Sequence, residues 1–241
     1  MKLLKPIALL VFLLSTTISC AQWGNGKKIK GNGDITSATR STSSYEGLKA
    51  AGPMDFKLVE GKEGNISMKG DANLMEYIIT EVNNNKLIVK VKDGYNLKPS
   101  KTIVITVPYK SISSVSLAGS GDIENIGTIK ADELKVALAG SGDINLNVAS
   151  NTLESAIAGS GDIKLKGSTK DLTSKIAGSG DFDGKALRSA NVTIKISGSG
   201  NANVVCNGEL TVRISGSGDV QYSGKPTNKD TKVSGSGSVS N

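Results

Sequence analysis

Five aspartates recur at matching places in the second half of the chain: Asp122, Asp143, Asp162, Asp181 and Asp219, with Asn201 and Ser238 in the same place of two further copies. Carboxylates stacked within about 5 Å of each other repel, and a hard cation such as Ca2+ would relieve the repulsion. The same side chains can instead each accept a backbone N–H in their own turn, a role open to Asp, Asn and Ser alike. The Asn and Ser copies keep the hydrogen bond and lose the charge, so the turn role is favoured and no metal or other cofactor is expected. Cys206 follows Val204 and Val205, a setting that suits a small buried side chain better than a nucleophile. The chain has no histidine, so Ser-His-Asp, Cys-His and histidine-zinc arrangements cannot be built. Asp181 and Asp183 could act as a carboxylate pair only if a cleft held a glycoside between acids. A non-catalytic protein is therefore expected, with a polysaccharide-active enzyme as a distant alternative.

The aspartates belong to a repeat. Gly119-Ser120-Gly121-Asp122 returns at Gly140, Gly159, Gly178, Gly198, Gly216 and Gly235, with first glycines 21, 19, 19, 20, 18 and 19 residues apart. A period near 19 is too short for helix-pair repeats and fits one coil of a parallel β-solenoid. Apolar residues alternate after each turn, as in Ile144, Leu146 and Val148, and again before the next, as in Leu210, Val212 and Ile214. This pattern predicts two short strands per coil. Stacking would align Ile123, Ile144, Ile163, Phe182, Ala202 and Val220 in one interior column, and Leu117, Leu138, Ile157, Ile176, Ile196 and Ile214 in another. Seven coils at about 4.8 Å would make a rod on the order of 30 Å long.

The fold class expected is all-β: a parallel solenoid over residues 111–241, preceded at 45–110 by an irregular, strand-rich part that caps it, the two forming one head domain. Asp71 to Tyr77 reads as a short helical turn capped by Asp71. Ser234 to Asn241 begins another coil without a cap, which suggests self-association through an open edge as the alternative function.

Residues 1–21 read as an export signal, with Lys2 and Lys5 ahead of the apolar run from Pro6 to Leu14. Ile18-Ser19-Cys20 fits a lipoprotein box and Ser19-Cys20-Ala21 fits ordinary signal-peptidase cleavage, so lipidation of Cys20 and soluble release are both open. Residues 22–44 read as a linker. Either route removes Cys20 from redox chemistry, acylated or discarded, and leaves Cys206 as the one free thiol, without an intramolecular disulfide. Loss of Lys2 and Lys5 leaves 27 basic against 22 acidic residues, about +5. That excess is mild and dispersed, without the basic stripe and interleaved aromatics that nucleic acid requires. Membrane contact is expected only through an N-terminal lipid, and residence in the periplasm, at the outer membrane or at the cell surface.

The Gly-Asn-Gly-Asp segment at Gly31 to Asp34, the stretch Ala51-Gly52-Pro53-Met54-Asp55-Phe56, the piece Ile79-Thr80-Glu81-Val82 and the Gly-Ser-Gly-Asp turns together resemble the auto-transporter adhesin head domain, or GIN domain, over about Tyr45 to Asn241. The resemblance implies a β-solenoid envelope domain labelled by adhesion. An autotransporter barrel has no room in 241 residues that end in solenoid sequence, so the N-terminal signal is the expected export route. The function expected is a binding or adhesion module, with Lys164, Lys166, Lys175, Thr193, Lys195 and Arg213 on an outer face and an envelope protein or glycan as partner. A homo-oligomer is a further expectation.

Overall fold

The computed structural model describes residues 26–241. The export signal, Cys20 and the first residues of the expected linker lie outside that range.

The repeated coils pass through a Gly-Ser-Gly turn closed by Asp, Asn or Ser, and the strands on either side of the turn stack in parallel register on their copies. Before the turn, Gly47–Gly52 pairs with Ser114–Gly119, which pairs with Ile129–Gly140. The same ladder continues through Ile144–Gly159, Ile163–Gly178, Phe182–Gly198, Glu209–Gly216 and Asn228–Gly235. After the turn, the ladder runs from Met54–Glu60 through Ile123–Ile126 to Val220–Ser223 and Val239–Ser240. The result is a β-solenoid of about 7 turns with coils of ~19 residues.

Both expected interior columns form. Ile123, Ile144, Ile163, Phe182, Ala202 and Val220 are consecutive register partners and all are buried. In-register stacking explains the period: each inward side chain meets its own copy one rung away, so volumes must match along a column. The expectation of two short strands per coil is corrected in the three central coils, where single strands of 16 or 17 residues run from one turn to the next. Corner residues such as Ala149 and Ser150 keep partners in both neighbouring coils, so the hydrogen-bond ladder continues around the bend.

Two adjacent interior positions are polar. Ser155 and Ser174 are register partners, both buried, and neither hydroxyl has a hydrogen-bond partner. A desolvated hydroxyl without a partner costs about 1–3 kcal/mol. Ser174→Ala removes it at almost constant shape and is expected to raise the melting temperature by about 2–4 °C. A calorimetric scan showing a lower value would mean that the hydroxyl is satisfied by water.

The N-terminal part adds one more parallel rung and then closes the edge. Lys86–Val91 pairs with Gly47–Gly52, and Ile103–Tyr109 with Met54–Glu60. Beyond them the direction reverses: Ile78–Asn83 pairs antiparallel with Lys86–Val91, Asn65–Asp71 pairs antiparallel with Ile103–Tyr109, and Ile35–Ser41 covers Asn65–Asp71. Antiparallel neighbours can be joined by tight connections, so a short segment suffices to cover the end of the stack. The linker expected at 22–44 is thus corrected over its described part, since Lys27–Lys30 pairs with Tyr95–Lys98 and Ile35–Ser41 joins the main sheet. The physical reason is burial, because Ile29 and Ala38 pack on the core. Arg40 supplies a second tie, its guanidinium donating to the Met75 and Ile78 carbonyls.

Asp71 also departs from expectation. Ala72–Tyr77 is a 3-10 helix, but the Asp71 carboxylate makes no cap hydrogen bond to it. It accepts instead from the Gly33 N–H at 2.8 Å, the Ser100 N–H at 2.8 Å and the Ser100 hydroxyl at 2.6 Å.

Candidate functional site

The aspartate ladder is a set of bonds between coils rather than within turns. Asp122 Oδ1 accepts the Asp143 N–H at 3.0 Å, Asp143 that of Asp162 at 3.0 Å, and Asp162 that of Asp181 at 2.8 Å. The series runs on through Asn201 and Asp219 to Ser238. The expected acceptor role is therefore found one coil away, because the rise of a parallel stack brings the next turn's amide over each carboxylate. Asp55 is an earlier member that the sequence pattern did not disclose, since its turn reads Gly-Pro-Met-Asp; its Oδ1 accepts the Asp122 N–H at 3.1 Å. Partial burial pushes the Asp55 carboxyl up, opposed by that hydrogen bond and reinforced by the charges of Asp122 and Glu124. Asp55, Asp122, Asp143 and Asp162 line a groove of about 570 Å3 together with Lys57, Glu124 and Lys164. Among the described residues, no group of three or more Asp, Glu, Cys or His is placed to hold a metal ion.

Cys206 is fully buried, with Sγ 3.4 Å from the Ala190 carbonyl and 3.3 Å from that of Glu209. Burial pushes its thiol pKa up, which disfavours the thiolate a nucleophile needs.

The six residues expected on one outer face divide between two. Lys164 and Lys166 follow the turn, and Lys164 pairs with Asp183 at 3.8 Å along the acidic groove. Lys175, Thr193, Lys195 and Arg213 precede the turn, where Lys175, Lys195 and Arg213 are consecutive register partners. Lys166 and Lys175 lie on either side of the corner at Ser168 and Thr169 within Ile163–Gly178, and Lys164 lines one groove while Lys175 and Lys195 line another, so a single face does not hold all six. Thr193 lies two residues before Lys195 on this second side and is half-buried.

The pre-turn face carries a feature that the inward columns had hidden. Its outward residues are alanines: Ala118, then Ala137 and Ala139, then Ala156 and Ala158, then Ala177, all exposed. They line an apolar groove of about 760 Å3 with Lys49 and Lys90 toward one end and Lys175 and Lys195 toward the other. The signal was present as the repeated Ala-Leu-Ala and Ala-Ile-Ala before Gly140 and Gly159. Beyond the alanines, Lys175, Lys195, Arg213 and Lys232 stack as like charges on successive rungs. Arg213 pairs with Asp230; among the described residues Lys175, Lys195 and Lys232 have no carboxylate within salt-bridge distance. Like charges directly opposite in a sheet destabilise it, so this ladder is a local cost that an anion would remove.

None of the curated proteins matches the chain. Solved structures do: a "putative adhesin" from Bacteroides fragilis aligns with a TM-score of 0.80 at 20% identity, covering 88% of this chain and 99% of that one. A "putative lipid binding protein" from Parabacteroides distasonis aligns with a TM-score of 0.71 at 23% identity, covering 89% and 99%. A "putative adhesin" from Parabacteroides merdae aligns with a TM-score of 0.66 at 23% identity, again covering 89% and 99%. At these identities the likeness establishes the fold. The family model described as "Putative auto-transporter adhesin, head GIN domain" matches residues 44–226, spanning the alanine face and every Gly-Ser-Gly turn but the last, and the chain belongs to that family.

Proposed function

We propose that this chain is a non-catalytic binding module of adhesin type, carried to the cell envelope by its export segment, and that its ligand lies on the pre-turn face. The observation that carries this reading is the alanine floor bordered by Lys175 and Lys195, two cations on adjacent rungs without a carboxylate partner among the described residues. Alanine is depleted from strands, where enriched side chains are β-branched or aromatic, so a run of outward alanines on successive rungs is not explained by strand formation. Exposed apolar surface that is contiguous and rimmed by charge marks an interaction site. The adhesin descriptions of the family and of its structural neighbours support a binding role over a chemical one, as does the buried setting of Cys206. The "lipid binding" description of the Parabacteroides distasonis protein agrees with an apolar contribution to the ligand face.

The test is attachment of the purified protein to washed bacterial envelopes. A basic residue near an anionic surface contributes about 1 kcal/mol, so the triple variant Lys175→Ser, Lys195→Ser, Arg213→Ser is expected to attach about a hundredfold more weakly. The double variant Lys164→Ser, Lys166→Ser, on the other side of the turn, is expected to attach like the parent. Equal losses in the two variants would show that charge alone governs attachment and that the pre-turn face has no special part.

A further inference from the structure

We propose that the alanine groove holds one acyl chain of an anionic lipid, lying along the solenoid axis with its head group over Lys175 and Lys195. The inference rests on the reading of the pre-turn face as the ligand face and adds to it a ligand class, an orientation and a stoichiometry.

The outward side chains along the middle of the groove are mostly alanine methyl groups, with Ser116 and Ser197 among them, and lysines stand toward both ends. Its volume of about 760 Å3 is that of an open groove, which would cover one side of a chain and leave the other to solvent or a partner. Its length follows from the register. The rungs of Ala51, Ala118, Ala139, Ala158 and Ala177 are consecutive, and four rung spacings of about 4.8 Å give ~19 Å. A bilayer's hydrocarbon core is about 30 Å thick, so a single lipid chain reaches ~15 Å. The groove is long enough for one such chain.

The two ends differ in charge, and the difference orients the ligand. At one end Lys90 is paired with Asp93 at 3.2 Å, and Lys49 stands as a single cation between the rungs of Ile88 and Ser116. At the other, Lys175 and Lys195 are register neighbours without an acidic partner among the described residues, and Arg213 and Lys232 continue the row. An anionic head group there would bond to both ammonium groups and relieve their repulsion. Lys175 and Lys195 line the groove, and stems of that length can cover the first methylenes of the chain while their ammonium groups meet the head. An anionic polymer without a chain would use the cations and leave the alanines exposed. A second copy of this chain would bring its own cation row against this one.

The experiment is a calorimetric titration of the full exported chain with dodecyl phosphate, dodecyl maltoside and inorganic phosphate, each amphiphile below its micelle concentration, with the oligomeric state followed by sedimentation. One dodecyl phosphate per monomer is expected, at least tenfold tighter than dodecyl maltoside, with no detectable phosphate binding. Ala158→Gln, at an exposed position that leaves the charges unchanged, is expected to abolish binding of both amphiphiles. Lys175→Ser with Lys195→Ser is expected to reduce dodecyl phosphate to the affinity of dodecyl maltoside. Equal affinity for the two amphiphiles overturns the head-group assignment, and phosphate binding as tight as dodecyl phosphate overturns the acyl chain. Retained binding in Ala158→Gln places the ligand elsewhere. A dimer dissociated by the same alanine substitution assigns the face to a second copy. Co-sedimentation with phosphatidylglycerol vesicles without one-to-one binding of dodecyl phosphate assigns it to a membrane surface. If dodecyl phosphate fails while the triple lysine-arginine variant still loses envelope attachment, the ligand class falls and the ligand face stands; if attachment is also unaffected, both fall.

Discussion

Replacing Gly161 with alanine is expected to lower the melting temperature by about 10–20 °C, the scale of a 4–5 kcal/mol destabilisation in a chain of this size. A Cβ on Gly161 would stand 2.0 Å from the carbonyl oxygen of Gly142 and 3.0 Å from that residue's N and C atoms. All three are backbone atoms of the next rung, which is itself stacked on Gly121 in the same way. Relief would therefore require opening the ladder between coils rather than rotating a side chain. Gly159 is needed for a separate reason, a φ of +135° that residues with a Cβ rarely adopt. Ser160 between them is exposed and should accept alanine with little effect. The control is Lys164→Ala, which removes an exposed ion pair at 3.8 Å from Asp183 and should change stability by less than about 1 kcal/mol. Thermal melts followed by circular dichroism decide the matter. A Gly161→Ala melting temperature within a few degrees of the Lys164→Ala value would refute the close stacking of turns.

The features of the fold that repeat were legible in the sequence because an in-register stack makes every coil answer to the same neighbours. One spacing and one alternation of apolar residues are enough to specify the inward columns from Ile123 to Val220. Features that depend on the distance between coils were not legible. The aspartates were recognisable as hydrogen-bond acceptors, but whether Asp143 reaches its own turn or the Asp162 amide is decided by the rise from rung to rung. Asp55 was hidden by a turn of different composition. The alanine face escaped for a different reason: Ala137 and Ala139 flank the inward Leu138, and in a period-two reading a small apolar residue on the outer face carries no contrast. Lys164 and Lys175 were grouped because both point outward, and outwardness does not say toward which side of the solenoid. The antiparallel cap lies outside the repeat, and its strongest polar contact joins residues far apart in sequence.

That contact, at Asp71, should make the cap sensitive to acid. Its carboxylate is fully buried and faces three donors, the N–H groups of Gly33 and Ser100 and the Ser100 hydroxyl. The Ser100 hydroxyl bond is the largest influence holding the Asp71 pKa below the ordinary carboxylate value; burial opposes it, and the two N–H bonds add to it. Gly31 packs so closely that a Cβ there would come within 2.3 Å of the carboxyl group, so the group has little room to turn away when protonated. A carboxyl whose folded pKa is depressed adds stability that is fully present above its unfolded value, about 3.9. That contribution is lost as pH falls through the lower folded value. Asp71→Asn keeps the shape but points an amide N–H2 at a donor, so it should unfold at lower urea than the parent at pH 7 and pH 5. The gap between the two midpoints should narrow at pH 3, because the parent then gives up what the variant never had. Other carboxylates titrate in both proteins and cancel in the difference. A gap unchanged from pH 7 to pH 3 would show that the substitution acts through packing alone. A narrowing gap accompanied by loss of amide protection at Gly33 and Ser100 would place the acid-sensitive step in the docking of the N-terminal strands on the solenoid.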